Sequence, residues 1–452
     1  MHPRALPLVA LLASIASVAA TPAHAGVLSA SNIFSQFNAV IFSNFASTSD
    51  VEGLTVVGGN LVTGASFDIN PANASTSSFF GLTVYGSATG SGNYNVNNGS
   101  GVTIAGSNNV SFNLNGGGAA TIGGANSGNL SLSNGSGSLT IGGANSGTLQ
   151  IGSSASVYVG ASNTGGIGAN GRSSVAINGN NTANLNMNGG GSVALNGSNS
   201  GTISMNGGTV TYTGSQNGNL NLNGGATATK VASVTLPAPT ATLPSFATTF
   251  QTPLTNLSSQ LDALAANSLA TPSNNAVTFN ARPDNTGTAV FDVNSSIFKP
   301  NSTVTINLDG ATSVIINVNV DSCVSTTCVF SLPNSLNFAN PTGYASNVLW
   351  NFINATGLTF PNEIGGSVLA PFASVTNNAP IDGTLVALSY SGNGELHSHP
   401  YTGTLPNGTQ AQSSSDASNV TVPEPGSLVL IATGLVALAA ARRRTRPSAF
   451  RR

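Results

Sequence analysis

The sequence predicts an all-β fold, a right-handed β-solenoid with one flanking α-helix, on three observations. Short apolar pairs, each split by one small or polar residue, recur from about Val102 to Gly225, the period of a strand with one buried face. Gly, Asn and Ser fill the intervals, and these residues tolerate tight bends and left-handed backbone. The octet TIGGANSG starts at Thr121 and again at Thr140, a period of 19 residues, while Leu185, Ile203 and Leu220 lie 18 and 17 apart. Two short strands per coil of that length suit a stack of rungs. At ~4.8 Å per rung, roughly seven coils make a rod about 30–35 Å long.

The pairs run Val102/Ile104, Phe112/Leu114, Leu130/Leu132, Leu139/Ile141, Leu149/Ile151, Val157/Val159, Val175/Ile177, Leu185/Met187, Val193/Leu195, Ile203/Met205, Val210/Tyr212 and Leu220/Leu222. Ahead of them, FNAVIFSNF at Phe37–Phe45 and LTVVGGNLV at Leu54–Val62 are expected to be the strands that start the solenoid. PAPTATLP at Pro237–Pro244 reads as a stiff connection. One soluble helix follows, over 252–267, with Thr252 as its cap, Pro253 in its first turn and a stripe of Leu254, Leu257, Leu261 and Leu264. Its expected place is against the side of the solenoid. Strands resume from Val277 to Leu405, with Val304–Leu308, Val314–Val320, Val348–Phe352, Ser367–Ala370 and Thr384–Leu388 as further rungs.

Charge sorts the chain into body and ends. Only 5% of residues are charged, and seven of the nine arginines lie at the termini. Between Gly26 and Val422 there are four positive and twelve acidic residues, a net of 4 − 12 = −8, which excludes a nucleic-acid partner. Residues 1–25 read as an export signal: a basic start at Met1–Arg4, an apolar run Ala5–Ala20, and Ala23-His24-Ala25 before Gly26, with cleavage expected between Ala25 and Gly26. The body spans 26–406, and the Ser/Asn-rich stretch 407–422 reads as a flexible stalk. Residues 423–452 form a second address: Val422-Pro423-Glu424-Pro425, an apolar helix over 426–441, and the basic stop Arg442-Arg443-Arg444. At ~1.5 Å per residue such a helix spans about 24 Å, slightly short of a ~30 Å hydrocarbon core.

These ends and the body carry resemblances. The three-part tail resembles the PEP-CTERM sorting signal of Gram-negative bacteria that make exopolysaccharide, which implies an exosortase-type sorting protease as partner and transient insertion in the inner membrane. The step Asp50-Val51-Glu52-Gly53, VIINVNV from Val314, VLWNFINATGLTF from Val348, IGGSVLAP from Ile364, IDGTLVA from Ile381 and GELHSHPYTGTLP from Gly394 resemble the family called choice-of-anchor A. The same layout is similar to the bacterial ice-binding β-helix family, which informs fold more than function.

Candidate sites are few. Cys323 and Cys328 are the only cysteines, separated by four residues, and in an exported protein they are expected to form a local disulfide. Glu395, His397 and His399 alternate, which on an extended backbone puts all three on one face as a weak metal candidate or as hydrogen bonding at the end of the solenoid. Gly166–Gly171 matches GxGxxG formally, but no helix follows to receive a phosphate. Asp284, Asp292, Asp309, Glu363 and Asp382 are scattered, and their spacing pairs no two of them for catalysis. The reading is therefore a non-enzymatic, exported surface protein without cofactor, adhesive or structural in an exopolysaccharide matrix or biofilm. Its outward Asn184, Asn186, Asn188, Asn219, Asn221 and Asn223 offer neutral donors and acceptors to glycans. The alternatives are ice binding, for which only Thr209–Thr213 (TVTYT) has the Thr-x-Thr pattern, and a passive spacer.

Overall fold

The computed structural model describes residues 28–69, 77–132, 137–237 and 242–406. The dominant element is one long, almost wholly parallel sheet along the side of the stack, and its strand pairings trace the winding of the chain. From Phe37–Ile41 the coils climb through Leu54–Val57, Leu82–Val84 and Val102–Ile104, and then rung by rung to Thr227–Lys230. A second parallel sheet of nine short strands, Ser66–Phe67 to Leu220–Asn223, forms another face. The chain then returns past the helix and enters the stack from its other end. Strands Thr288–Asn294, Ser313–Asn319, Val348–Phe352, Ser367–Asn377 and Leu385–Gly392 follow one another in register.

The last of these, Leu385–Gly392, pairs with Phe37–Ile41, Ala39 facing Leu385. Phe37–Ile41 was expected to start the solenoid; it lies in the middle, where two half-stacks meet. Its two backbone edges are both paired, with Leu54–Val57 on one side and Leu385–Gly392 on the other, and all five of its residues are buried.

Apolar pairs fill the coils as their spacing predicts. Leu185 and Ile203 are fully enclosed, and the stack opens toward its end, where Tyr212, Leu220 and Leu222 are partly exposed. The sheet of short strands supplies seven rungs between Phe112 and Leu220. One of them, Ile167–Asn170, is the stretch whose glycines mimic a phosphate loop; it is a strand.

Between the two faces runs a column that is polar and buried. Asn108, Asn126, Asn145, Asn163, Asn181 and Asn199 occupy the same corner of successive coils, joined by parallel bridges. Each of the first five donates from Nδ2 to Oδ1 of the next at 2.7–2.8 Å. The same nitrogen donates its second hydrogen to the carbonyl two residues on, at 2.8–2.9 Å. A buried amide offers two donors and an acceptor, and this geometry uses them all as far as Asn181; the unmet group lies at the column's end, where the Gln216 side-chain oxygen has no partner. Backbones crowd here: a Cβ on Gly147 would collide with the carbonyl oxygen of Gly128 in the coil below. Gln216 takes the corner in the seventh coil and donates to Gly218 O at 2.9 Å.

The helix spans Thr252–Asp262, shorter than the expected 252–267, because Leu269–Pro272 is a strand paired antiparallel with Ala276–Asn280. Thr252 is not its cap: helical backbone already begins at Ala247, and Gln251 precedes Thr252 in helical conformation. Phe250, Leu254, Leu257 and Leu261 pack on the outer side of the main sheet against Val40, Val56, Ile315, Leu349, Leu369 and Val386. Polar contacts fix its register. Asn317 donates to Leu261 O at 2.7 Å, Ser258 donates to Asn351 Oδ1 at 2.7 Å, and Asn351 donates to Asn317 Oδ1 at 2.9 Å. Asn317 thus satisfies one of the orphan carbonyls of the helix C-terminus.

Two outcomes follow for stability. Ile203→Asp places a carboxylate between Leu185 and Leu220, and hydrogen exchange should show protection lost in the rungs from 185 to 223 while Val102–Ile104 keeps its own. Asn163→Leu leaves Asn181 Oδ1 and Gly165 O without their donor. Urea unfolding should register a loss of roughly 1–3 kcal/mol per orphaned group, against less than about 0.5 kcal/mol for the outward Asn186→Ala.

Candidate functional site

Several of the body's acids and one of its histidines gather where the two half-stacks join. The rungs Ile364–Gly365, Ile381–Asp382 and Leu396–His397 stack in parallel, so Asp382 lies beside His397. Val51 bridges both Leu396 and Phe67, carrying this face on into the N-terminal coils. Glu52 N–H donates to Leu396 O at 3.0 Å, Leu396 N–H donates to Asp50 O at 3.0 Å, and Ser398 N–H donates to Glu52 Oε2 at 2.8 Å. Asn38 reaches across with Nδ2 donating to Gly383 O and His397 O, at 2.8 and 3.0 Å.

His397 holds the centre. Its Nδ1 lies 2.6 Å from Asp382 Oδ1, and its Nε2 lies 2.8 Å from Glu395 Oε2. Asp382 is wholly buried, the histidine side chain is 25% exposed and that of Glu395 is 48% exposed. Burial pushes the imidazole pKa down, but hydrogen bonds to Glu395 and Asp382 and the charges of Asp382 and Glu52 push it up, and the net is a rise. Glu363 is also raised, by burial first, then by a hydrogen bond to Asp382 and the charge of Asp382, with His397 acting in the opposite sense. The second carboxylate oxygen of Asp382 meets no fixed donor. The Tyr344 hydroxyl is buried against the same group without a hydrogen-bond partner among the described residues; burial and the charges of Asp382 and Glu363 raise its pKa.

Of the two sequence readings of this alternation, the hydrogen-bonded one describes Glu395 and His397, which meet each other, and among the described residues no group of His, Cys, Asp and Glu is placed to hold a metal. The arrangement departs from the sequence reading in two ways. His399 is not on the same face, because the strand stops at His397 and His399 N–H turns back onto His397 O at 3.1 Å. Glu363 and Asp382, which sequence spacing leaves unpaired, are brought together by the stacking of coils. Asp284, Asp292 and Asp309 stay apart from the junction. Asp284 accepts from Thr286 and Thr288 in its own turn, Asp292 is an exposed residue of an outer strand, and Asp309 takes left-handed backbone in a bend.

A disulfide joins Cys323 and Cys328 across the antiparallel hairpin formed by Cys323–Val324 and Thr327–Ser331. The outward faces of the coils are free of acid and base over many rungs. Asn184, Asn186, Asn188, Asn219, Asn221 and Asn223 are all exposed. On the main sheet Thr227 and Thr229 stack on Thr209 and Thr211, so the Thr-x-Thr pattern covers two adjacent rungs where the sequence shows one. The expected cleavage pair Ala25 and Gly26, the stalk, the motif Val422 to Pro425, the helix 426–441 and the stop Arg442–Arg444 all lie outside the described residues. Among the described residues no helix is long and apolar enough to cross a membrane.

Comparison with known proteins bears on this arrangement. A family model described as "Putative Ice-binding-like adhesive domain" matches residues 30–146 and 127–398, and a "PEP-CTERM protein-sorting motif" matches 421–444. No curated protein matches the chain. Among solved structures, the tapirin C-terminal domain of Caldicellulosiruptor kristjanssonii is 12% identical, covering 69% of this chain and 91% of its own, with a TM-score of 0.21. An ice binding protein from an Antarctic Flavobacteriaceae bacterium is 15% identical, covering 81% and 97%, with a TM-score of 0.21. The match over nearly all of the body decides the matter: the chain belongs to the ice-binding-like adhesive domain family and, with a PEP-CTERM sorting motif behind that domain, is an exported surface protein.

Proposed function

We propose that the protein is a non-catalytic adhesive rod that holds neutral polysaccharide of the surrounding matrix. The observation that carries this reading is the outer surface of the coils, where exposed amides and hydroxyls repeat at every rung with almost no charge. Each such group gives a weak contact, but a regular array engages many hydroxyls of one long chain at once, and avidity compensates for weak single contacts. The low charge suits a ligand without charge and disfavours polyanions. Ice binding is the second reading, favoured by the stacked pairs Thr209/Thr211 and Thr227/Thr229.

The PEP-CTERM motif implies processing by an exosortase-type sorting system. In the proposed sequence of events, the export signal is removed before Gly26, the apolar helix 426–441 holds a precursor in the inner membrane, and cleavage near Pro423-Glu424-Pro425 releases the rod to the surface or matrix.

Two measurements test the proposal. The exported protein should be retained on the host's own exopolysaccharide, and raising salt from about 0.05 to about 0.5 M should leave retention nearly unchanged, because no screened ion pairs are involved. No retention, or elution by salt, refutes the polysaccharide assignment; thermal hysteresis in the same preparation favours ice. Replacing Pro423-Glu424-Pro425 with alanines should trap full-length protein in the inner membrane, seen by fractionation and mass spectrometry. Surface protein that still carries the Arg442–Arg444 peptide points to a plain anchor.

A further inference from the structure

We propose that the junction between the two half-stacks is a proton-operated latch, in which protonated His397 clasps the closing strand Leu396–His397 to the N-terminal coil and deprotonation loosens it. Four carboxylates converge on this one imidazole from four places in the chain. Asp382 comes from the rung beneath, Glu395 from the start of the closing strand, Glu363 from the turn before Ile364–Gly365, and Glu52 from the coil above. Tyr344 adds a neutral hydroxyl beside Asp382 and Glu363. Neither a lysine nor an arginine pairs with these acids: among the described residues the ion pairs are the two made by His397.

The geometry requires the proton. An imidazolium has two N–H donors, and both nitrogens face a carboxylate oxygen within hydrogen-bond distance. A neutral ring has one N–H, so one nitrogen lone pair then points at an acceptor. The neutral ring keeps its proton on Nδ1 toward the wholly buried Asp382, so the lone pair falls on Nε2, and the attraction to the half-exposed Glu395 is lost. The strand that bears His397 is tied to the N-terminal coil by hydrogen bonds of Leu396, Glu52 and Ser398, with Asn38 bridging to His397 O. Tyr401 and Thr402 are tied separately, to Ser313, Phe34 and Ser346, so opening stays local to the junction.

The sign is set by the direction of the shifts. A raised pKa means the folded junction holds its proton more tightly than the unfolded chain does. For His397 the stabilisation is fully present below the ordinary imidazole value of about 6.5 and is lost as pH rises through the folded value. Glu363 acts in the same direction, from the ordinary carboxyl range upward. The closing strand is therefore held more firmly at mildly acidic pH and is looser above neutrality, while the main-sheet pairing of Leu385–Gly392 with Phe37–Ile41 and Phe45–Ser47 keeps the half-stacks joined.

Hydrogen exchange on the full exported chain tests the latch. Between about pH 6 and about pH 9, after correction for intrinsic exchange, opening at the amides of Gly383, Leu396 and Ser398 should rise severalfold. The Ile203 amide, bonded to Asn219 O far up the stack, should show no such step. His397→Gln should abolish the step. Glu395→Gln, which alters only the more exposed side, should move it to lower pH, and this arm serves if His397→Gln does not fold. A step that persists in His397→Gln, that stays in place in Glu395→Gln, or that is absent from the native chain overturns the proposal. So does an NMR titration that places the His397 imidazole at or below its ordinary value. Each result leaves the polysaccharide assignment untouched, since that rests on other faces.

Discussion

The constraint on which everything else rests is the vertical register of a parallel stack. Each residue lies on its counterpart one coil away, so whatever a position does must be compatible with copies of itself above and below. Apolar side chains meet this trivially. A polar side chain inside the coil meets it only if it can both donate to one copy and accept from the other. Asparagine does this with one group to spare, and that spare donor closes the turn on the carbonyl two residues on. The column from Asn108 to Asn199 is thus a requirement of stacking as well as a source of strength. Charged groups fail the same requirement, because like charges would repeat ~4.8 Å apart. The stacked coils are accordingly almost free of them, and a cluster of acids around one histidine occurs where the repeat is broken.

The same constraint explains how much of the fold was legible. Pairs such as Leu185/Met187 and Ile203/Met205 announce the period because each rung must repeat it. Ile167 escaped notice because its partner is Ala169 and its surroundings are glycine. The asparagine corner was visible as a spacing of 18 or 19 residues, yet Asn looks like any turn residue unless burial is known. The helix end was misplaced because Leu264 continues the apolar stripe while the chain has already turned toward Leu269–Pro272. The order of coils could not be read at all. That Phe37–Ile41 lies between Leu54–Val57 and Leu385–Gly392 depends on pairing across more than three hundred residues, which no local pattern encodes.

The junction cluster was half legible for a related reason. Glu395 and His397 stood out as rare residues, and their alternation pointed to one shared face. What the alternation could not show is which residues occupy the same place on neighbouring rungs. Asp382 is fifteen residues from His397, one coil away, and Glu363 precedes the rung beneath that. In a solenoid the relevant spacing for a constellation is the coil length, not the strand period. Reading Glu363, Asp382 and His397 at intervals of one coil would have found the group.

A repeat of neutral hydrogen-bonding groups and a single titratable joint are different solutions to one problem. A rod that grips matrix along its length gains from sameness, since every rung adds an equal contact and no rung need be strong. A rod built from two half-stacks must also close a non-repeating joint, and a joint between unlike coils cannot use the self-complementary column of asparagines. There the main sheet pairs Leu385–Gly392 with Phe37–Ile41, and on the adjoining face ion pairing between unlike residues centres on a histidine, whose charge answers to pH near neutrality. Placing the one responsive group at the one irregular position confines any compliance to the middle of the rod and leaves the contacting faces unchanged.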